Sequence, residues 1–161
     1  NGTPVHVHLM VNPVEALIDP FVEAGATSLV FHPGVVREPG VLSDKIHQAG
    51  CQAGLALNPD EPLTMCLPYL EKMDRWLMMS VYPGLSGQAF IEASLDRFIQ
   101  AKQLIQEHAV SCVLEADGGI KGDNLATALK TGLDSVVIGS GLFGLSSYAD
   151  GVERFRDIAQ F

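Results

Sequence analysis

The run SCVLEAD, at 111–117, ends in Asp117 and is followed at once by Gly118 and Gly119. An aspartate at the C-terminal end of a parallel strand stands where active sites form in both barrels and open α/β sheets. Two glycines after it let backbone N–H groups approach an anion closely. Alone, Asp-Gly-Gly also reads as ordinary turn chemistry. A second segment, VVIGSGLFG at 136–144, passes from a strand through Gly139 and Ser140 into a short helical turn. A helix start presents free N–H groups suited to a phosphate. Asp117 and Gly139 fall 22 residues apart, on consecutive units. Together they predict a phosphate held by backbone at Gly118-Gly119 and Gly139-Ser140.

The segment VHVHLMV, at 5–11, sets His6, His8 and Met10 on one strand face, because side chains alternate along a strand. His8 is nearer the C-terminal end than His6. Imidazole and carboxylate suit Zn²⁺, Fe²⁺ or Mn²⁺, so His8 with Asp117 is a candidate metal pair; a hydrogen-bonded core histidine is the alternative. MMSVYPGLSGQ, at 78–88, leaves a strand into a Pro-Gly loop with a further glycine at 87, read as an active-site lid or a plain surface loop. Of Met78 and Met79, one faces the helices and one the interior. His32, before Pro33, reads first as a turn residue and second as a pocket wall. His47 and His108 fall in helical segments and are expected in solvent. Glu115 shares a face with Asp117 and needs a partner if buried; His6 is a candidate for it inside the sheet.

Six apolar runs would position these residues: 5–11, 27–32, 51–58, 75–81, 111–117 and 134–140. Each is of strand length. Helix-like periodicity fills Val14 to Ala24, Leu63 to Met73 and, most clearly, Ile91 to His108. A βα unit recurring about every 24 residues implies a parallel sheet with crossover helices. The step between the fourth and fifth runs is longer and holds YPGLSGQ and the longest helix. Glycines in AGA, QAG and KTG, at 24–26, 48–50 and 130–132, fall where helix C-termini are expected. Six units fit an open doubly wound sheet, and they fit part of a (β/α)8 barrel about two units short of roughly 215 residues.

The chain has 161 residues, 47% hydrophobic and 18% charged, which fits one domain with one core. Its net charge of −9 argues against nucleic acid or an anionic membrane as partner. No apolar run is long enough to span a bilayer. Cys51, Cys66 and Cys112 are far apart, form no CxxC, and read as buried thiols in a reducing compartment. A cytoplasmic enzyme or binding domain is expected.

Taken in order, HVHLMV, FHP, AGLALNP, MMSVYPGLSGQ, EADGGI and IGSGLF resemble the ribulose-phosphate 3-epimerase family, from about residue 5 to 143 and plausibly to the last helix. The resemblance implies a (β/α)8 TIM barrel of which residues 1–161 supply about six βα units, strands three to eight. It implies reversible epimerisation at C3 of D-ribulose 5-phosphate to D-xylulose 5-phosphate through an enediolate, in the pentose phosphate pathway. A divalent metal ion (Zn, Fe, Mn or Co) would be bound by two His and two Asp. By motif, His8 resembles a metal ligand and substrate contact, and Asp117 a ligand that is also an acid/base. Met10 and Met79 resemble the methionines around the intermediate. Gly84, Leu85, Ser86 and Gly87 match the lid loop, and Gly118, Gly119, Gly139 and Ser140 the phosphate contacts. The partner is a small sugar phosphate, and a homo-oligomer is expected.

His6 stands where the family commonly has Asp, Gly34 where an acidic residue often follows HP, and Leu85-Ser86 where Phe-Gly is usual. A ketohexose-6-phosphate 3-epimerase is therefore an alternative substrate reading. A non-catalytic sugar-phosphate-binding paralogue is another, and a Schiff-base aldolase or synthase a third. The third needs a lysine at a strand end, and only Lys121 follows a strand. The family's first two strands carry a Ser contact, a metal His and a second catalytic Asp, which this sequence does not supply. The expectation is that the chain alone does not epimerise, and that it associates through its open edges or is poorly stable unless further strands close the barrel.

Overall fold

The computed structural model describes residues 2–84 and 87–159. Six strands form at the six apolar runs: β1 (His6–Leu9), β2 (Ser28–Phe31), β3 (Gln52–Leu57), β4 (Arg75–Met79), β5 (Val113–Asp117) and β6 (Ser135–Val137). All neighbours pair in parallel, and the order across the sheet is the order in sequence. A doubly wound sheet reverses its strand order at a switch point; this one never does. It curls as six βα units of a (β/α)8 barrel, which decides between the two architectures left open by the sequence.

Helices cover the convex face: α1 (Ile18–Glu23), α2 (Pro39–Gln48), α3 (Ser94–Glu107), α4 (Leu125–Leu129), α5 (Ser140–Phe143) and α6 (Tyr148–Ile158). On α3, Phe98, Ala101 and Ile105 form one buried stripe that packs on β4 and β5. The helix expected over Leu63 to Met73 is instead two 3₁₀ turns, Leu63–Met65 and Leu67–Lys72. Pro68 has no N–H to donate and biases Leu67 away from the α region, so an α-helix cannot run through it. The glycines expected past helix ends, Gly25, Gly50 and Gly132, all have left-handed backbone.

Strand alternation sorts the side chains. Leu29, Phe31, Ala53, Leu55, Leu57, Trp76, Met78, Leu114 and Ala116 join the core under the helices. Val30, Ala56, Leu77, Met79 and Val81 form a separate buried cluster on the concave face. Met78 and Met79 thus divide as the alternation requires. At the N-terminal ends of the strands, two aspartates stitch neighbours together. Asp74 Oδ2 accepts from the Ala53 N–H at 2.8 Å and lies 2.8 Å from His47 Nε2. Asp134 Oδ2 accepts from the Leu114 N–H at 2.9 Å, while its Oδ1 accepts from Lys102 at 2.7 Å.

The same end corrects one expectation. Glu115 is buried, but its partners are Arg75, whose Nη1 donates at 3.3 Å, and Ser135, whose Oγ donates at 3.1 Å; Arg75 Nε also donates to Gln52 at 3.2 Å. His6 is exposed on β1, four strands away in the sheet order. Removing one member of a buried ion pair strands the other, typically at about 3–5 kcal/mol. Arg75→Ala should therefore cost roughly that much in urea unfolding, whereas His6→Ala should stay within about 0.5 kcal/mol of wild type. A large loss in His6→Ala would restore the His6–Glu115 pairing.

Candidate active site

The C-terminal ends of β4, β5 and β6 open onto a cavity of about 230 Å³. Its walls include Met10, Met79, Gly84, Gly87, Asp117, Gly118, Gly119, Gly139 and Ser140, all singled out by the sequence. Leu85 and Ser86 lie outside the described residues. Tyr82, Pro83, Gln88 and Ile120 complete much of the wall, and Gln88 Nε2 donates to the Tyr82 carbonyl at 2.6 Å. Among the described residues, Asp117 is the one carboxylate on this wall, and no Lys or Arg lines it. Lys121 faces a different cavity with Asp123 and Arg154, so a Schiff-base lysine is not at the site.

The Gly118-Gly119 turn is held from two sides, by Ser80 and by Asn124. Ser80, fully buried after β4, has its Oγ 2.6 Å from the Gly118 carbonyl and 3.1 Å from that of Asp117, and its N–H donates to the Asp117 carbonyl at 2.8 Å. Asn124 donates to the Gly119 carbonyl at 3.0 Å and accepts from the Lys121 N–H at 2.8 Å. The backbone runs through φ +118° at Gly118 and +66° at Gly119. Nothing in the pattern around Ser80 singles it out, because a serine at a strand end is common.

His8 lies just below the rim, its side chain 14% exposed, with Nδ1 4.0 Å from Asp117 Oδ2. That nitrogen is buried and has no hydrogen-bond partner. Its Nε2 lies 2.9 Å from Nε2 of His32, and the rings stack with centroids 5.0 Å apart. His32 is therefore no plain turn residue: it is buried at the end of β2, against His8. Burial, with His32 adding to it, lowers the His8 pKa to about 4. Burial also lowers that of His32, with Glu61 acting in the opposite direction. Burial first, then the nearby Glu115, raises Asp117 above the usual carboxylate range. Glu61, which the sequence reading passed over, reaches His32 from the loop after β3, its Oε2 4.0 Å from His32 Nδ1. His32 and Glu61 line a neighbouring cavity of about 290 Å³ that shares Met10 and Pro83 with the first.

Among the described residues no group of three or more His, Cys, Asp or Glu gathers closely enough to hold a metal ion. The unpartnered His8 Nδ1 and the Asp117 carboxylate oxygen 4.0 Å from it are a nitrogen and an oxygen donor of the kinds that ligate a divalent ion, and they would supply two of its ligands. The three cysteines are buried and free, and burial pushes the Cys112 thiol up to about 12. None lines the cavity.

A curled parallel sheet with its cavity at the strand C-termini is the architecture of a barrel enzyme domain. Solved structures agree on the fold. KGPDC from Streptococcus mutans superposes with a TM-score of 0.75 at 10% identity, over 98% of this chain and 72% of that one. The tryptophan synthase A-subunit from Pyrococcus furiosus gives 0.73 at 15% identity, over 100% and 68%. The chain belongs to the ribulose-phosphate 3-epimerase family, whose model matches residues 1–143. The ribulose-phosphate 3-epimerase 2 of Cupriavidus necator is 44% identical over 165 residues, 97% of this chain and 68% of that protein. That of Buchnera aphidicola subsp. Acyrthosiphon pisum is 40% identical over 153 residues, 95% and 67%. The chain thus spans about two thirds of the length of these curated relatives. No helix among the described residues is long and apolar enough to cross a membrane.

The cradle's glycines differ in what they tolerate. A Cβ on Gly119 would stand 2.6 Å from the Phe90 nitrogen and 2.7 Å from its Cα, on left-handed backbone; a Cβ on Gly139 would meet nothing within 4 Å. Gly119→Ala should lower stability by about 2 kcal/mol or more, and Gly139→Ala by less than about 1 kcal/mol, in chemical denaturation. Equal losses would show that the two turns are not differently packed.

Proposed function

We propose that the cavity around Asp117 serves 3-epimerisation of D-ribulose 5-phosphate to D-xylulose 5-phosphate, with this chain supplying one of the two acid/base carboxyls that inversion needs, as the names of its relatives suggest. The observation that carries the reading is the convergence of Met10, Met79, Asp117, Gly118, Gly119, Gly139 and Ser140 on one small cavity, in a chain that shares the family's motif order. We take residues 1–161 as one ribulose-phosphate-binding-type domain.

Asp117 removes or returns the C3 proton on one face of the substrate. Its raised pKa suits that task, because a carboxyl nearer neutrality both holds and releases a proton readily. Proton loss next to the ketone yields an enediolate. A divalent ion held by His8 Nδ1 and Asp117 Oδ2 would supply Lewis-acid stabilisation of negative charge on the substrate oxygens. Met79, buried, and Met10, at the mouth, bound the reacting carbons with polarizable apolar groups that do not compete for protons. The phosphate is held by N–H groups at Gly118-Gly119 and Gly139-Ser140. On α5 the N–H groups of Leu142 and Phe143 donate to the Gly139 carbonyl at 3.0 Å, which leaves those of Ser140 and Gly141 to meet the phosphate.

Two measurements test this. In D₂O, proton NMR should show deuterium entering C3 of ribulose 5-phosphate, and Asp117→Asn should slow it by at least about 100-fold with the circular dichroism spectrum unchanged. Near-wild-type exchange in that variant removes Asp117 from the chemistry. In calorimetry, Gly139→Val should weaken ribulose 5-phosphate binding about tenfold or more, because the side chain enters open cavity space. Unchanged affinity would move the phosphate elsewhere.

A further inference from the structure

Two buried imidazole nitrogens without partners, Nδ1 of His8 and Nδ1 of His32, each lie 4.0 Å from a carboxylate oxygen: Asp117 Oδ2 and Glu61 Oε2 respectively. The Nε2 atoms of the two rings face each other at 2.9 Å. A neutral imidazole carries one N–H, and an Nε2 to Nε2 hydrogen bond needs exactly one hydrogen between the rings. Two arrangements satisfy this. In the first, His8 donates from Nε2, His32 carries its proton on Nδ1 towards Glu61, and His8 Nδ1 is a bare lone pair. In the second, His32 donates from Nε2, His8 carries its proton on Nδ1 towards Asp117, and a bare His32 Nδ1 faces Glu61. Only the first leaves His8 able to ligate a metal ion through Nδ1.

We propose that Glu61 is a positioning residue that, through His32, selects the His8 tautomer whose Nδ1 is free for a metal ion. The inference rests on the metal reading given under Proposed function. A carboxylate accepts hydrogen bonds and donates none, so Glu61 favours an N–H at His32 Nδ1 and opposes the equal pull of Asp117 on an N–H at His8 Nδ1; without the Glu61 carboxylate the pair tips towards the second arrangement. A ligating histidine is oriented by what its other ring nitrogen meets; here that partner is a second histidine backed by a carboxylate.

Glu61 is itself anchored. Its Oε2 accepts from the Asn58 N–H at 2.7 Å, and Arg97 Nη2 donates to the carbonyls of Glu61 at 2.7 Å and Asn58 at 3.3 Å. Its place also fits a gap in the sequence. Gly34 stands where the family resemblance calls for an acidic residue two positions after His32. A Cβ on Gly34 would lie 3.4 Å from Glu61 Oε1. A carboxylate therefore occupies the space beside residue 34, supplied from the adjacent loop.

Glu61→Gln tests the idea with little disturbance. The amide oxygen still accepts from the Asn58 N–H, but the amide NH₂ can donate to a bare His32 Nδ1, so the second arrangement opens. At pH 8 neutral rings are expected, and long-range ¹H–¹⁵N correlation spectra of metal-free protein report which nitrogen of each ring is protonated. Wild type should show more of the pattern with His8 protonated at Nε2 and His32 at Nδ1 than Glu61→Gln does, the variant shifting both rings towards the opposite pattern. Zn²⁺ affinity, read by competition with a chromophoric chelator, should fall about 10–100-fold in Glu61→Gln. It should recover in the Gly34→Glu/Glu61→Gln double variant, which restores the carboxylate from the other loop. An unchanged nitrogen pattern, or an unchanged Zn²⁺ affinity, in Glu61→Gln overturns the role of Glu61. A wild type with the expected pattern that binds no Zn²⁺ instead refutes metal binding by His8 and Asp117 in this chain, so the two failures are told apart.

Discussion

The concave face has to be polar at its rim and dry beneath it, and the buried layer of Val30, Ala56, Leu77, Met79 and Val81 reconciles the two. Inward positions run from polar to apolar to polar along β2, where Ser28 and Val30 are followed by His32; on β4 Arg75 precedes Leu77 and Met79, and on β5 Glu115 lies below Asp117. Each polar layer is thereby cut off from water on one side. Below, Arg75 and Glu115 meet that cost by pairing, with Ser135 and Gln52 taking remaining valences. Above, the response is a shift in pKa: burial lowers His8 and His32 and raises Asp117, each in the direction of its neutral form.

The two ends of the strands divide the work. At the N-terminal ends, Asp74 and Asp134 lock neighbouring strands through backbone N–H groups. At the C-terminal ends, Ser80 and Asn124 fix the Gly118-Gly119 turn, so its N–H groups are set before any ligand arrives. That division is usual in barrels, where loops after the strands vary and the opposite face stabilises. It also explains why the cradle tolerates glycine alone at 119, yet leaves open space at 139.

The strands, their parallel order and the cavity residues were legible in the sequence because they depend on local pattern: β-branched runs of fixed length, a recurring unit, and glycines directly after strand ends. What failed depended on the third dimension. Leu63 to Met73 carries a helical apolar spacing, but Pro68 overrides it through a missing N–H and a steric clash, and 3₁₀ turns result. His6 and Glu115 share the inward register, yet Arg75 and Ser135 on the two strands flanking Glu115 are nearer. His32 and Glu61 were missed as a pair because 29 positions separate them, and only the pairing of β2 beside β3 brings the loops after them together. The departure at Gly34 was the one available signal, and it pointed to a missing carboxylate without saying where another might be.

A net charge of −9 sits oddly with an anionic substrate until distances are considered. Asp74 and Asp134 lie at the N-terminal ends of β4 and β6, and Asp74 is separated from the rim by the five residues of β4, about 16 Å at ~3.3 Å per residue. That is about twice the ~8 Å Debye length at physiological ionic strength. Asp19 and Asp44 are further offset by Lys45 and Lys72, at 2.8 and 2.6 Å. The field at the cavity is therefore set by what is near, which is the Asp117 carboxyl and the backbone of the glycine turns. Peptide N–H groups on a turn fixed by Ser80 and Asn124 carry only partial charges, but they need no reorganisation and lose no side-chain entropy when an anion arrives, whereas a lysine loses about 2 kcal/mol of rotamer freedom on being held. With no Lys or Arg among the described residues of the cavity wall, binding there has to follow shape and hydrogen-bond direction more than net charge, which favours a small phosphate ester over anions at large.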